Sequence, residues 1–175
     1  MNILNKLQKM ADSRLYWAAY GIGGISLLGV ALIYQHVFEE LPCVVCIQIR
    51  LWISLLIVLS AGGLWLREKP SLNLLMQWAI VLTSAGFVER SYLLLGTERG
   101  FIFGACGFDV GLPSWFAVEQ WLPWLYQVET SCGYTPELLF GITMAEALIA
   151  LSVSLLLVSS AIALASTVGL FQRKS

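Results

Sequence analysis

Four apolar runs, each near or above the length needed to cross a lipid bilayer, constrain this chain more than any other feature of its sequence. A helix rises about 1.5 Å per residue, so roughly 20 residues span a hydrocarbon core of ~30 Å. Only 12% of the 175 residues are charged and the mean hydropathy is +0.79, which is typical of a chain whose main solvent is lipid. The sequence predicts an all-α membrane protein, a single domain over 1–175. Its four transmembrane helices are expected at about 15–36, 46–66, 71–95 and 138–171.

Lys and Arg are distributed unequally over the segments that connect these helices. Most lie on the side of the two termini and the turn between the second and third helices: Lys6, Lys9, Arg14, Arg67, Lys69, Arg173 and Lys174. Only Arg50, Arg90 and Arg99 lie on or near the other side. Because basic residues favour the cytoplasmic side, both termini are expected in the cytoplasm. The loops at about 37–45 and 96–137 then face outwards, which at a bacterial inner membrane is the oxidising periplasm.

The longer of these loops contains an aromatic-rich stretch between Ser114 and Tyr126. Trp and Tyr prefer the headgroup layer of a membrane, and a short amphipathic helix can lie in that plane. We therefore expect the loop to carry a short interfacial amphipathic helix. The alternative is that these aromatic side chains form a core for the loop itself.

Cys43 and Cys46 have the Cys-x-x-Cys spacing and follow Pro42 at the start of the second predicted helix. The amino end of a helix carries a partial positive charge that favours a thiolate, and one helical turn brings the two sulfurs within disulfide reach. This pair is therefore expected to be a reactive dithiol. Haem attachment would require His directly after Cys46, where Ile47 stands.

A second pair, Cys106 and Cys132, lies within the long loop. A disulfide between them would stabilise the loop by roughly 3–4 kcal/mol in the chain-entropy model. Taken alone, the pair is as consistent with a structural role as with a catalytic one, and the presence of the first pair on the same face favours exchange between them. The spacing is looser than that of a metal-binding knuckle, so no metal is expected.

Arg50 follows Cys46 by four residues and so shares its helix face, about one turn deeper towards the lipid. A charge at such a depth costs free energy unless it is paired or contacts a ligand, which makes Arg50 a candidate functional residue. Its guanidinium suits the carbonyl oxygen of a quinone, or the negative charge that develops when a quinone is reduced. The alternatives are snorkelling to headgroups and pairing with Glu39 or Glu40.

With these residues assembled, the chain closely resembles the disulfide bond formation protein B (DsbB) family of bacterial inner-membrane thiol oxidases. The resemblance spans essentially the whole chain. It rests on the spacing of Cys106 and Cys132 and on four segments: Tyr34-Gln35-His36-Val37, Leu41-Pro42-Cys43-Val44-Val45-Cys46-Ile47 with Arg50 following, Leu112-Pro113-Ser114-Trp115, and Gly141-Ile142-Thr143-Met144.

The resemblance implies a four-helix bundle that oxidises a DsbA-like periplasmic thioredoxin-fold protein and passes the electrons to ubiquinone, or to menaquinone when oxygen is scarce. It also implies a role for each cysteine. Cys106 forms the mixed disulfide with the partner, and the freed Cys132 attacks the Cys43–Cys46 disulfide at Cys43. Cys46 then becomes the thiolate that faces the quinone beside Arg50.

The chain departs from the family pattern in two places. Residues 133–137 lack the tryptophan that many relatives place just before the last helix, and residues 107–111 lack a basic residue found in some relatives. These departures concern quinone contact and partner choice, and they leave the four cysteines intact. The alternative function is that of a four-span structural or scaffolding protein with disulfide-stapled external loops. A net charge of −1 gives no indication of a nucleic-acid partner.

Overall fold

The computed structural model describes residues 3–103, 110–131, 133, 135–139 and 141–174. The helices are α1 (Ile3–Ala11), α2 (Arg14–His36), α3 (Val44–Leu66), α4 (Pro70–Glu98), α5 (Val118–Trp121), α6 (Pro123–Tyr126) and α7 (Met144–Lys174). A 3₁₀ turn (Ser114–Phe116) precedes α5, and a hairpin of β1 (Glu137–Leu139) and β2 (Ile142–Thr143) precedes α7.

Helices α2, α3, α4 and α7 are each long and apolar enough to cross a membrane. In lipid every backbone polar group must be bonded within its own segment, and a helix meets this requirement. Helix α3 packs against both α2 and α4, and α4 packs against α7. The four-helix membrane fold predicted from the sequence is confirmed.

The contact between α2 and α3 is close because glycine lies where the two helices meet. Trp17 of α2 is fully buried. A Cβ atom added at Gly63 of α3 would lie 2.1 Å from Cε3 of the Trp17 ring. Small residues of this kind allow helices to approach in a membrane, where van der Waals packing drives association.

The last spanning helix begins at Met144, not at about 138 as predicted. The apolar residues just before it pair instead as an antiparallel hairpin, in which Glu137 faces Thr143 and Leu139 faces Ile142. Gly141 adopts a φ of +77°, a left-handed conformation that ends helical continuity and suits glycine. The third spanning helix also differs, since α4 extends to Glu98 where about 95 was predicted.

The amino-terminal helix α1 is an element that the sequence reading did not predict. Its Gln8 Nε2 donates a hydrogen bond of 3.1 Å to the Ala165 carbonyl oxygen of α7, and Ala11 is buried. At nine residues α1 is too short to cross a membrane. It is anchored by packing against α7.

The aromatic stretch forms three short helical turns instead of one continuous helix. Leu122 has a non-helical φ of −135° and ψ of 65°, and Pro123 starts the next turn. Trp115, Trp121 and Trp124 are exposed, while Leu125 and Tyr126 are buried. The stretch therefore packs on the protein through Leu125 and Tyr126 and presents three tryptophans outwards, and its position at the membrane surface stays a prediction.

Candidate functional site

Cys43 lies where the sequence predicts it, at the amino end of the second spanning helix. It is the N-cap residue of α3, with extended backbone angles, and its Sγ accepts a hydrogen bond of 3.4 Å from the backbone N–H of Cys46. The first N–H groups of a helix have no partner inside the helix, so a side chain at the N-cap satisfies one of them. Those N–H groups and the helix dipole also stabilise negative charge on this sulfur.

The sulfurs of Cys43 and Cys46 lie 2.7 Å apart. A small side-chain adjustment is enough to connect them, because a disulfide requires a separation of about 2.05 Å. Their surroundings differ, since Cys43 is buried and Cys46 is half-buried. Cys46 is therefore the more accessible residue of the pair.

A strand-like segment of the long loop runs directly beside Cys43. The carbonyl oxygen of Pro42 accepts hydrogen bonds from the backbone N–H groups of Glu129, at 3.0 Å, and Thr130, at 3.3 Å. Cys43 and Thr130 form a parallel β-bridge. Cys132 follows Thr130 by two residues, which span at most about 7 Å of chain. Cys132 and Cys106 themselves lie outside the described residues.

Arg50 is buried at 5% exposure and its guanidinium is held by three neutral oxygens. Nη1 donates to Gln35 Oε1 at 2.6 Å and to the Leu125 carbonyl oxygen at 2.9 Å. Nη2 donates to the Ala31 carbonyl oxygen at 3.3 Å. A buried charge is tolerated when it is hydrogen-bonded in this way. Arg50 is thus fixed inside the protein, in contrast to the snorkelling and glutamate-pairing alternatives.

Gln35 is a partner of Arg50 that the sequence reading did not single out. A signal was present, because Gln35 is a polar residue near the end of an apolar run. A second support comes from α6, since Tyr126 is buried and its hydroxyl lies 2.7 Å from the Ser54 hydroxyl of α3. The aromatic stretch therefore helps to build the surroundings of Arg50.

A cavity of about 400 Å³ opens beside Cys46 and Arg50, between α2, α3 and α7. This volume is within the range of small-molecule sites. Most of its lining is aliphatic, including Leu27, Ile53 and Leu148. Its polar lining comes from Cys46 and Arg50 and from residues of the connecting segments and α2: Tyr34, Glu39, Glu40, Thr130 and Ser131. An apolar chamber with a cysteine and a fixed guanidinium suits a flat apolar molecule that carries polar oxygens.

A different face of α3 is connected to the other arm of the long loop. Gln48 Nε2 donates to the Val110 carbonyl oxygen at 2.9 Å, and Gln48 Oε1 accepts from Arg90 Nη1 at 3.0 Å. Arg90 also forms an ion pair of 3.0 Å with Glu89. Val110 is buried, so its carbonyl oxygen requires a partner.

The base of the long loop is held by side chains from both of its ends. Arg99, just after α4, forms an ion pair with Glu146 in the first turn of α7. The Thr135 hydroxyl donates to Glu98. Glu146 also accepts from the Thr143 N–H at 3.2 Å, while its own N–H donates to the Thr143 hydroxyl at 3.3 Å, as in a capping box. Both ends of the loop are thereby fixed near the spanning helices.

Within the part of the chain that the structure describes, no three His, Cys, Asp or Glu side chains are grouped as a metal site would require. The chemistry available from the described residues is that of a thiol pair beside a fixed cation.

Comparison with known proteins gives a consistent result. A sequence model described as disulfide bond formation protein DsbB matches residues 13–162. Disulfide bond formation protein B 2 of Pseudomonas aeruginosa is 32% identical over 160 residues, covering 90% of this chain and 95% of that protein. Disulfide bond formation protein B of Shewanella loihica is 30% identical, over 82% of this chain and 84% of that protein. The protein of the same name in Aeromonas hydrophila is 28% identical, over 93% and 94%.

Proposed function

Because the chain belongs to the DsbB family of disulfide bond formation proteins, we propose that it reoxidises a DsbA-like thioredoxin-fold protein and passes the electrons through two cysteine pairs to a membrane quinone. The observation that carries this proposal is the shared cavity of Cys46 and Arg50. We also propose that the membrane is the bacterial inner membrane, with both termini in the cytoplasm and the cysteine-bearing loops in the periplasm.

The residues around the cavity fit a quinone. Its aliphatic lining suits a ring and an isoprenoid tail. Arg50 has five N–H donors, and its three described hydrogen bonds leave two for an oxygen of a bound molecule. When bound, a quinone supplies a two-electron acceptor that takes up two protons. Ubiquinone is the proposed acceptor, with menaquinone as the alternative.

The cysteines would transfer electrons by successive thiolate attacks on disulfide sulfurs. A thiolate of the reduced partner attacks Cys106, which breaks the Cys106–Cys132 disulfide and releases Cys132. Cys132 attacks Cys43 and breaks the Cys43–Cys46 disulfide, so that Cys46 leaves as a thiolate. The second thiolate of the partner then attacks the partner sulfur of the mixed disulfide. This step releases the oxidised partner and frees Cys106 as a thiolate. Cys106 attacks Cys132 and releases Cys43, so the loop disulfide is restored and Cys43 and Cys46 hold the electron pair.

The local structure supports the end of this path. Cys43 is the leaving thiol when the loop disulfide reforms, and its N-cap position lowers the free energy of its thiolate. Cys46 lines the cavity, where Arg50 stabilises negative charge. The bridge between Cys43 and Thr130 keeps the chain before Cys132 beside Cys43.

The second candidate function, a scaffold with stapled loops, is weaker because a scaffold has no need for a buried guanidinium beside a cysteine-lined cavity. A direct assay separates the two. Purified protein is mixed with a reduced thioredoxin-fold partner and a soluble ubiquinone, and quinone absorbance is followed. We expect turnover that Cys46→Ser abolishes. Absence of quinone reduction by the parent protein, or ordinary turnover by Cys46→Ser, would contradict the proposal.

The order of the cysteines has its own test. Cys132→Ser leaves Cys106 as a thiol, which attacks the disulfide of the oxidised partner and releases one partner thiolate. Cys132 is then missing and cannot attack Cys106 to displace the partner, so a partner–Cys106 adduct should accumulate on non-reducing gels when the variant is mixed with oxidised partner. A matched Cys106→Ser variant should not form this adduct. An adduct through another cysteine would contradict the assigned order.

A further inference from the structure

Gln48 uses both ends of its amide to connect three parts of the protein. Its Nε2 binds the Val110 carbonyl oxygen and its Oε1 binds Arg90 of α4. The Arg90 side chain is itself held by Glu89. The amide orientation is fixed by these partners, because only the nitrogen can donate to a carbonyl and only the oxygen can accept from a guanidinium.

Gln48 and the cavity lie on different faces of the same helix. Successive helical residues are rotated by about 100°, so Gln48 lies roughly 160° from Cys46 and from Arg50 around α3. The Arg50 face borders the cavity, and the Gln48 face binds the loop at Val110. The first turns of α3 therefore contact the cavity and the loop at the same time.

Both described arms of the long loop are bound to the start of α3. The arm that leads to Cys132 is bound at Pro42 by Glu129 and Thr130. The other arm is bound at Val110, four residues after Cys106 in the sequence. Four residues span at most about 14 Å of chain, so the anchor at Val110 limits how far Cys106 can lie from α3.

We propose that Gln48, oriented by Arg90, is a positioning residue for disulfide exchange: it anchors the loop at Val110 and so raises the effective concentration of the loop thiols near Cys43. This rests on the proposed function, since it assumes that the loop exchanges disulfides with α3. Gln48 itself touches neither a reacting sulfur nor the cavity in the described structure.

The size of the effect follows from the length of the tether. Ile102 is anchored through its N–H to the Gly96 carbonyl oxygen, and seven residues separate it from Val110. The Val110 side chain is buried in the core and Leu112 packs against that core, so loss of the Gln48 bond loosens this anchor without removing it. Effective concentration falls roughly as the −3/2 power of tether length, so the roughly threefold fall that a doubled tether gives is an upper bound.

The test is Gln48→Glu in the full chain. A carboxylate still accepts from Arg90 but cannot donate to the Val110 carbonyl oxygen, so the variant removes one bond and keeps the other. Val58→Ala, on an exposed position of the same helix, is the matched control. Two rates are compared: quinone reduction driven by a reduced thioredoxin-fold partner, and quinone reduction driven by dithiothreitol in proteins that also carry Cys106→Ser and Cys132→Ser, where the loop has no disulfide through which electrons could pass.

We expect Gln48→Glu to lower kcat/KM for the partner protein by up to about threefold and to lengthen the lifetime of the mixed disulfide by a similar factor. The quinone KM and the dithiothreitol-driven rate should match those of the parent and of Val58→Ala. An equal fall in both rates would mean that Gln48 acts on the quinone site, and no change in either would remove its positioning role. A parent that fails to reduce quinone would instead contradict the proposed function.

Arg90→Met serves as a second variant if Gln48→Glu does not fold. It removes the bond that orients the Gln48 amide and leaves the donor to Val110 in place, so the partner-driven rate should fall below that of the parent by less than about threefold, with the quinone KM unchanged. A normal partner-driven rate and mixed-disulfide lifetime in Arg90→Met would contradict the orienting role of Arg90.

Discussion

At the residue scale, Arg50 is the clearest case of a side chain whose surroundings explain its chemistry. Arg50→Met removes a buried charge, which favours folding, but leaves the acceptors at Gln35, Ala31 and Leu125 without this donor, which opposes it. Stability is thus a poor readout, and the quinone KM is a better one. Losing a charge-assisted hydrogen bond costs ~1.5–3 kcal/mol, so we expect quinone affinity about 10- to 100-fold weaker.

Arg50→Lys is the matched variant. It keeps the charge but loses the planar fork, and an ammonium group on a flexible stem cannot reproduce all three bonds. Its quinone KM should therefore lie between those of the parent and Arg50→Met. Disulfide exchange between the partner and Cys106 should stay near normal in both variants, because that step uses the loop. A parental quinone KM in Arg50→Met would remove Arg50 from the quinone site.

Glu39 provides a second prediction at this scale, because it has a left-handed φ of +57°, the one positive φ at a non-glycine position in the described structure. That conformation costs a residue with a Cβ about 1–2 kcal/mol. Glu39→Gly removes the strain but adds roughly 0.5–1 kcal/mol of chain entropy to the unfolded state. We expect a net gain of about 0.5–1 kcal/mol, seen as a higher thermal unfolding midpoint in detergent. Glu40→Gly, whose φ is not positive, should lower the midpoint, and a lower midpoint in Glu39→Gly would contradict the strain argument.

At the scale of the elements, the packing of α2 on α3 depends on Gly63. A methyl group there would lie 2.1 Å from the buried Trp17 ring, so Gly63→Ala forces the helices apart and should destabilise the protein by about 1–3 kcal/mol. Gly62→Ala is the neighbouring control, because its nearest contact would be Met76 Sδ at 3.8 Å. Alanine is also the better helix former by about 1 kcal/mol, so Gly62→Ala should be neutral or stabilising. Thermal unfolding measures the stability of both variants. Equal unfolding midpoints would show that the Trp17 ring can move to accommodate the added methyl group without loss of stability.

The elements also show what a sequence reveals and what it does not. Hydrophobic length was enough to locate the four spanning helices, because membrane insertion depends on local composition. The start of the last helix was missed, since residues 138–139 continue its apolar pattern while the positive φ of Gly141 interrupts the backbone. The N-cap position of Cys43 was predictable from Pro42 and the spacing, which are local signals.

The partners of Arg50 and Gln48 were not predictable in the same way. Leu125 is 75 residues from Arg50, and Val110 is 62 residues from Gln48. Contacts at such separations depend on how the loop folds over the helices, and no periodicity within a single chain encodes them. The cavity beside Cys46 likewise exists only once three helices are assembled.

At the scale of the whole molecule, the charges and the loops divide between the two ends of the bundle. The three basic residues on the loop side are each held by the protein: Arg50 is buried, Arg90 is paired with Glu89, and Arg99 is paired with Glu146. On the other side Arg67 is also paired, with Glu68, and its side chain is 19% exposed. Ion pairs of basic residues therefore occur at both ends of the bundle and do not by themselves indicate an orientation.

The predicted topology rests on the number of spans and on the terminal segments, because four spans place both termini on one side and the basic residues of the terminal segments favour the cytoplasm. The test inserts a protease site into the full chain at one of two places, between Lys69 and Pro70 in the short turn or after Gly100 at the base of the long loop. Protease added outside spheroplasts should cut the protein with the site after Gly100 and leave the protein with the site between Lys69 and Pro70 intact. Lysis should make the site between Lys69 and Pro70 accessible. Quinone reduction by each uncut protein confirms that the insertion has not disturbed the fold. Cleavage at the short turn in intact spheroplasts would reverse the proposed orientation, and with it the placement of the cysteine pairs in the periplasm.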